Sequence, residues 1–272
     1  MTAAAIFKEC VESVRRGELI EREGPNDKEF HFQNWFEKRL KALRLNFDQP
    51  GRNTYPDFRL VNSPEGYELK GLAYPGRDAN YDSNSQVPVG DHNGRAVYYT
   101  FGRYPKAPDG NTYPVVDLVL CHGNFLNADS EYVHENKSFK GFGTYGDIMV
   151  RDRKMYVVPT PFALAEGTAH RMTVILPETE KPGEGFFEVG RLVRREVEQI
   201  VVAYEFDLRS NKLVTKTAPN SNAGREHTFV AYRLNGDPKD PVKLRSRKEV
   251  IDELQEAAND DSSDTSLLND DE

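Results

Sequence analysis

The segment Pro56-Asp57-Phe-Arg-Leu-Val-Asn-Ser-Pro-Glu-Gly-Tyr-Glu68-Leu69-Lys70 decides the fold prediction. Its first part favours a strand, its middle has the composition of a turn, and its last part begins a second strand. Side chains alternate between the two faces of a strand, so Glu68 and Lys70 share one face and Leu69 lies on the other. If the two strands are neighbours, Asp57 lies near Glu68. The segment therefore predicts a hairpin that brings two carboxylates and one ammonium group together.

These residue types suit phosphodiester hydrolysis. Mg²⁺ is a hard cation that proteins hold with one or two carboxylates, together with substrate phosphate and water. The metal lowers the pKa of bound water and neutralises charge on the phosphate. A lysine beside it can orient the attacking water and stabilise negative charge. The two neighbouring carboxylates favour the protonated form of Lys70.

Pro56-Asp57 and Glu68-Leu69-Lys70, with Glu68 eleven positions after Asp57, resemble the signature of the PD-(D/E)xK nuclease superfamily. The resemblance covers roughly residues 29–74, and the chain as a whole looks most like a type II restriction endonuclease. It implies an α/β (α+β) fold with a restriction-endonuclease-like core, in which helices flank a central mixed sheet. The C-terminal half of the chain adds β-rich elaborations.

The resemblance also implies an activity and partners. The expected enzyme is a sequence-specific endonuclease that cuts double-stranded DNA to 5′-phosphate and 3′-hydroxyl ends, with Mg²⁺ as cofactor and Mn²⁺ as a substitute. Asp57, Glu68 and Lys70 would be catalytic. Asp57, Glu68 and the backbone carbonyl of Leu69 would bind the metal, and Lys70 would orient the attacking water. A homodimer and a companion DNA methyltransferase are implied as partners.

A predicted amphipathic helix over residues 28–43 precedes the hairpin. Its apolar stripe consists of Phe32, Trp35, Phe36, Leu40 and Leu43. In the family resembled, a glutamate on this helix assists the metal site, which makes Glu29 a candidate ligand. The alternative is a glutamate that only stabilises the N-terminus of the helix through its dipole.

Two segments are candidates for DNA contact. Residues 75–90 follow the second strand and are expected to form a polar loop, and residues 137–147 mix glycines, aromatic residues and lysines. The side chains suited to base edges or phosphates are Arg77, Asn80, Asn84, Gln86, Arg95, Lys137 and Lys140. The alternative for both segments is an ordinary surface loop.

The chain has 272 residues and a formal charge of −8. Nine acidic and no basic residues lie between Asp252 and Glu272; without them, 36 basic residues face 35 acidic ones, a net charge of +1. A body of this charge permits a local basic groove for DNA. We expect one nuclease domain over residues 1–250 and an acidic, disordered tail over residues 251–272.

Composition also bears on location. The sequence has no apolar run near the ~20 residues of a membrane-spanning helix and no visible secretory signal, so no membrane partner is expected. Its two cysteines, Cys10 and Cys121, are too few for a disulfide scaffold and fit a reducing cytoplasm.

Hydrophobic patterns predict the remaining elements. Helices are expected over residues 2–20, 191–199 and 249–258, the second carrying Arg191, Arg194 and Arg195. Strands are expected over residues 96–104, 113–122, 155–158, 172–176, 200–207, 213–217 and 227–234.

The sequence contains no motif for several other kinds of enzyme. The sequence has no H-E-x-x-H pair, no phosphate-binding P-loop and no serine-hydrolase elbow. Two alternatives to a restriction enzyme stay open. One is a repair or junction-resolving nuclease on the same core, and the other is a non-catalytic module that binds DNA or protein.

Overall fold

The computed structural model describes residues 2–22, 30–48, 55–76, 78–84, 87–105, 110–128, 144–152 and 155–254. Several sequence-based predictions fall outside these residues: those on Glu29, Arg77, Gln86, Lys137, Lys140 and the chain beyond residue 254.

The described helices are few. They are α1 (Thr2–Arg15), α2 (His31–Ala42), a 3₁₀ turn (Gly123–Phe125), α3 (Pro161–Leu164) and a C-terminal helix over residues 247–254.

Strands are the predominant secondary structure of the described chain. In chain order they are β1 (Ile20–Glu21), β2 (Phe47–Asp48), β3 (Phe58–Leu60), β4 (Glu65–Tyr74), β5 (Asn80–Asn84), β6 (Asp91–His92), β7 (Arg95–Pro105), β8 (Thr112–Tyr113), β9 (Asp117–His122), β10 (Met149–Asp152), β11 (Met155–Pro159), β12 (Ala165–Glu166), β13 (Met172–Pro177), β14 (Phe186–Arg195), β15 (Gln199–Asp207), β16 (Lys212–Pro219), β17 (Glu226–Leu234) and β18 (Lys243–Leu244).

A nine-stranded sheet forms the centre of the molecule. Its order is β14-β17-β13-β9-β7-β4-β3-β2, with β6 paired to β7. The pairs β4–β7 and β9–β13 are parallel and the others are antiparallel. The protein is therefore an α+β protein with a mixed central sheet, which confirms this part of the predicted fold class.

Both faces of this sheet are covered. Helices α1 and α2 pack on one face, where Phe7, Phe36 and Leu118 belong to one apolar cluster. The other face carries a second cluster that includes residues of β5, β11, α3 and the C-terminal helix. Every residue of the central strand β9 is buried, because a strand covered on both faces has no solvent side.

Helix α2 lies unusually close to the sheet. Gly71 and Gly102 are partners in the β4–β7 register, and the side chain of Phe32 occupies the space above them. A Cβ added at Gly102 would lie 2.3 Å from the Phe32 ring. The missing side chains therefore let α2 pack directly on the strands.

The predicted helix over residues 191–199 is wrong, because residues 186–195 form β14. Leu192 and Arg194 are buried and alternate with exposed neighbours, which is the period of a strand. The Arg194 guanidinium is buried beside the Asp147 carboxylate and lies 4.0 Å from the centre of the Tyr145 ring. The sequence-based prediction placed Arg194 on a helix and did not identify Asp147 as its partner.

Three other boundaries differ from the prediction. The segment expected to be a polar loop contains β5, which pairs with β11. The predicted strand over residues 113–122 is interrupted, since Tyr113 ends β8 and pairs with Ile20, while β9 begins at Asp117. Helix α1 ends at Arg15, before Gly17 with a φ of 77°. The other predicted strands in the described chain are present within a few residues.

The C-terminal helix begins at residue 247 and is described to residue 254. The Glu249 carboxylate accepts a hydrogen bond from the Ser246 amide at 2.7 Å, as in a capping box. Leu254 is fully buried, so the ordered packing continues past residue 250. No described helix combines the length and apolar character needed to cross a membrane.

Candidate active site

The predicted hairpin exists as β3 and β4, joined by a turn at residues 61–64. The strands pair through Phe58 with Tyr67 and Arg59 with Gly66. A Cβ at Gly66 would lie 2.5 Å from the Pro56 ring. Glycine at this position therefore lets the chain before β3 lie against β4.

Pairing between the two strands begins at Phe58, one residue after Asp57. Pro56 has no amide hydrogen to donate to a ladder, and the Asp57 side chain takes over the contact with β4. The Leu69 amide donates to Asp57 Oδ2 at 2.8 Å. The Asp57 amide donates to Glu68 Oε2 at 3.3 Å. The predicted proximity of Asp57 and Glu68 is confirmed.

Glu68 and Lys70 lie together on one face of β4, as predicted. Lys70 Nζ donates to Glu68 Oε1 at 2.7 Å. The two side chains are 13% and 24% exposed, so solvent reaches both while much of each is enclosed. Lys70 Nζ also lies 5.4 Å from the centre of the buried Tyr81 ring, a cation–π geometry.

Helix α2 contributes Gln33, which forms a side-chain hydrogen bond with Asp57. The sequence-based prediction assigned no role to Gln33. Its position on the helix next to the buried Phe32 was the available signal. Because Phe32 packs on Gly71 and Gly102, the adjacent part of α2 lies close to the sheet.

Three tyrosines border the site. The hydroxyls of Tyr55 and Tyr99 lie 2.8 Å apart, and Tyr99 is the register partner of Glu68. Tyr81 comes from β5, and its buried hydroxyl has no hydrogen-bond partner among the described residues. No sequence-based prediction assigned these three tyrosines to the site, because their contact with the motif depends on strand pairing.

Burial and neighbouring charges shift the pKa values of Asp57 and Lys70 away from those of ordinary surface groups. Burial, and next the charge of Glu68, raise the pKa of Asp57 from 3.8 to about 7. Burial opposes the charge on Lys70, but the charges of Glu68 and Asp57 outweigh it and raise the pKa of Lys70. The pKa values of Tyr55, Tyr81 and Tyr99 are all raised, first by burial, so these tyrosines are neutral at physiological pH.

The donor set fits a hard divalent cation. Asp57 and Glu68 supply carboxylate oxygens, and an added positive charge would relieve the cost of ionising Asp57. In a strand the N–H and C=O of one residue face the same neighbour, so the Leu69 carbonyl faces the edge where its amide meets Asp57. The described residues contain no group of three or more His, Cys, Asp or Glu side chains that could hold a metal. A cation held here would complete its shell with water and substrate oxygens, as Mg²⁺ commonly does.

Of the residues predicted to contact DNA, the structure describes Asn80, Asn84 and Arg95. Asn80 is 2% exposed on β5, so its side chain does not reach a DNA surface. Asn84 ends the same strand. Arg95 Nη1 donates to the carbonyls of Leu60 and Ser63 at 2.7 and 3.0 Å, and thus braces the turn of the motif hairpin.

Cys10, Cys121 and His122 are potentially reactive side chains elsewhere in the described chain, and all three are buried. Cys10 and Cys121 are buried and unpaired by disulfides, and burial raises the pKa of each thiol. Burial lowers the pKa of His122 to about 4, so its imidazole is neutral at physiological pH.

No protein-family model, curated protein or solved structure matches this chain.

Proposed function

We propose that the chain is a Mg²⁺-dependent endonuclease of the PD-(D/E)xK type, which hydrolyses double-stranded DNA at specific sequences. The observation that carries this proposal is the hydrogen-bonded set of Asp57, Glu68 and Lys70 at the open edge of β4. The three residues match the superfamily signature in type, and they converge in space.

The surrounding fold supports the same reading. The motif hairpin belongs to a mixed central sheet, and the helix that precedes it, α2, hydrogen-bonds to the site through Gln33. A restriction-endonuclease-like core combines these parts. The β-rich second half of the chain is available for recognition of DNA sequence.

Lys70 acts as a hydrogen-bond donor in the proposed mechanism. Its raised pKa keeps the ammonium protonated, and the 2.7 Å contact with Glu68 fixes its direction. The ammonium orients a water molecule for in-line attack and stabilises charge on the phosphate. The water oxygen bonds to phosphorus as the bond to the 3′ oxygen breaks. The 3′ oxygen gains a proton and the water loses one to solvent, which leaves 5′-phosphate and 3′-hydroxyl ends.

Asp57, Glu68 and the Leu69 carbonyl would hold Mg²⁺ beside this lysine. When bound, Mg²⁺ lowers the pKa of coordinated water and offsets negative charge on the phosphoryl group. Gln33 positions Asp57 by hydrogen bonding to its carboxylate.

The test is cleavage of linear plasmid DNA with and without Mg²⁺. We expect the wild-type protein to produce discrete fragments, and Lys70→Ala to lower the rate by roughly 100-fold or more, the size of effect seen when one such donor is lost. Lys70→Gln, which keeps much of the side-chain stem, is the second variant if Lys70→Ala does not fold. Lys41→Ala is the matched control, because Lys41 is 66% exposed on α2.

The outcomes separate the alternatives. Cutting of branched or damaged DNA alone would indicate a repair or junction-resolving nuclease. Absence of Mg²⁺-dependent cleavage on every DNA substrate would favour a binding module. Near wild-type cleavage by folded Lys70→Ala would overturn the assignment of the site.

A further inference from the structure

The β15–β16 hairpin stands apart from the rest of the described molecule. Its two strands pair with each other from Gln199 opposite Pro219 to Asp207 opposite Lys212, and they form a separate two-stranded sheet. No other described helix or strand makes extensive contact with either strand. An isolated two-stranded hairpin is only marginally stable in water, so an ordered hairpin of this length suggests a partner.

The tip of this hairpin is a well-formed turn. The Asp207 carboxylate accepts hydrogen bonds from the Arg209 amide at 2.9 Å and the Ser210 hydroxyl at 2.6 Å. Asn211 has a φ of 55°, in the left-handed region where asparagine is tolerated. The turn therefore holds its exposed side chains in defined positions.

These exposed side chains have the chemistry of base recognition. Arg209 and Asn211 are exposed, and the Arg209 guanidinium has no ion-pair partner among the described residues. Arginine pairs with the edge of guanine and asparagine with that of adenine. Leu208 is 85% exposed, and apolar side chains can contact the thymine methyl group.

Charge favours a polyanionic partner. From Gln199 to Pro219 the hairpin has three basic and two acidic residues, whereas the whole chain has a formal charge of −8. Only one acidic residue, Asp207, lies between Phe206 and Pro219, and its carboxylate is engaged in the turn.

The position of the hairpin is compatible with the candidate active site. Pairing across the sheet places Gly190 of β14 level with Glu68 of β4. Strand β14 runs opposite to β4, so it leaves the sheet at Arg195 towards the end where β4 begins. Five strand spacings separate β14 from β4, about 24 Å, or roughly seven base pairs of duplex DNA.

We propose that the β15–β16 hairpin enters the major groove of duplex DNA, where Arg209 and Asn211 contact base edges and Leu208 contacts a thymine methyl group. The major groove is about 12 Å wide and accommodates a two-stranded ribbon. This inference rests on the proposed function, because it assigns the element that selects the sequence to be cut.

The test is selection of bound duplexes from a random-sequence DNA pool by the full-length Lys70→Ala chain. This readout does not require cleavage, so it fails or succeeds independently of the nuclease assignment. The same selection is made with Arg209→Ala and Asn211→Gly added, since glycine preserves the left-handed turn. The control adds Lys8→Ala and Asn235→Ala, which remove one exposed cation and one exposed amide elsewhere.

We expect a sequence motif to be enriched by the Lys70→Ala chain and by the control, and to be lost with the hairpin substitutions. Affinity for the enriched duplex should fall roughly 30-fold or more, from two base contacts worth about 1–3 kcal/mol each, and affinity for random duplex should change little. An unchanged motif, or no motif at all, would overturn the proposal. A change from dimer to monomer in light scattering would instead assign the hairpin to self-association.

Discussion

Asp57 has two interactions with β4. Its carboxylate accepts a hydrogen bond from the Leu69 amide, because β3 begins only at Phe58 and has no amide or carbonyl paired with Leu69, and its charge interacts with the charge of Glu68. The same placement that completes the hydrogen bonding of β4 therefore confines negative charge in a partly enclosed site. Ionised Asp57 is costly to the folded protein unless a cation balances it.

This cost makes stability depend on pH. Because burial and the Glu68 charge raise the pKa of Asp57 to about 7 from 3.8, the folded state binds more protons than the unfolded state between these values, and its stability falls as pH rises through this window. Asp57→Asn removes the ionisation and retains an acceptor for the Leu69 amide. Its stability relative to wild type should increase by about 1.4 kcal/mol per pH unit between roughly pH 4 and 7.

Urea unfolding without divalent cations measures this difference. Asp48→Asn, at an exposed position on β2, is the control and should show no such trend. Added Mg²⁺ should stabilise the wild-type protein at pH 8 more than Asp57→Asn, since only the wild type offers both carboxylates. A difference between wild type and Asp57→Asn that is independent of pH would contradict the raised pKa.

At the scale of elements, the contact between α2 and the sheet connects core packing with the site. Phe32 fills the space above Gly71 and Gly102, and the adjacent Gln33 reaches Asp57. A change in this packing shifts the helix and its hydrogen bond together. The glycines are thus part of the support for the candidate site, although neither belongs to the motif of Asp57, Glu68 and Lys70.

Gly102→Ala tests this support. The new methyl group would lie 2.3 Å from the Phe32 ring, and overpacking of this kind costs about 1–3 kcal/mol, measurable by urea unfolding. Gly71→Ala should cost less, since its nearest contacts are 3.0–3.2 Å. Adding Phe32→Leu to Gly102→Ala should recover part of the loss. Equal costs for the two glycine variants, with no recovery, would contradict a specific clash with Phe32.

Elements also show where sequence patterns fail. The β3–β4 hairpin was predictable because turn residues and alternation act over a few neighbouring positions. Residues 191–199 were predicted as a helix, but residues 186–195 form strand β14. The burial of Arg194 in this strand depends on Asp147, which is distant in the chain. Asn80 was likewise assigned to a loop, although pairing with β11 buries it in β5.

At the scale of the whole molecule, the described chain contains one set of Asp57, Glu68 and Lys70. One set cuts one strand at a time, and a two-fold dimer would place two sets on opposite strands. We therefore propose that the protein acts as a homodimer, which the family resemblance also implies.

Mixed dimers test this arrangement. Co-expression of wild-type and Lys70→Ala chains with different tags allows purification of the mixed species. We expect the mixed dimer to convert supercoiled plasmid to the nicked circle, because only one of its sites is active, and the wild-type dimer to yield linear DNA. Linear product from the mixed species, or failure to recover any mixed species, would argue that each chain acts alone.

Local patterns in the sequence were sufficient for the motif hairpin, the apolar stripe of α2, most strands and the meeting of Asp57, Glu68 and Lys70, because these features depend on periodicity and turn chemistry over short distances. Gln33, Tyr81 and the close seating of α2 required the tertiary structure. Their contacts join elements far apart in the chain, where the register of strands and the fit of Phe32 over two glycines decide which side chains meet. The raised pKa of Asp57 has the same origin, since burial is a property of the packed molecule and not of the residue.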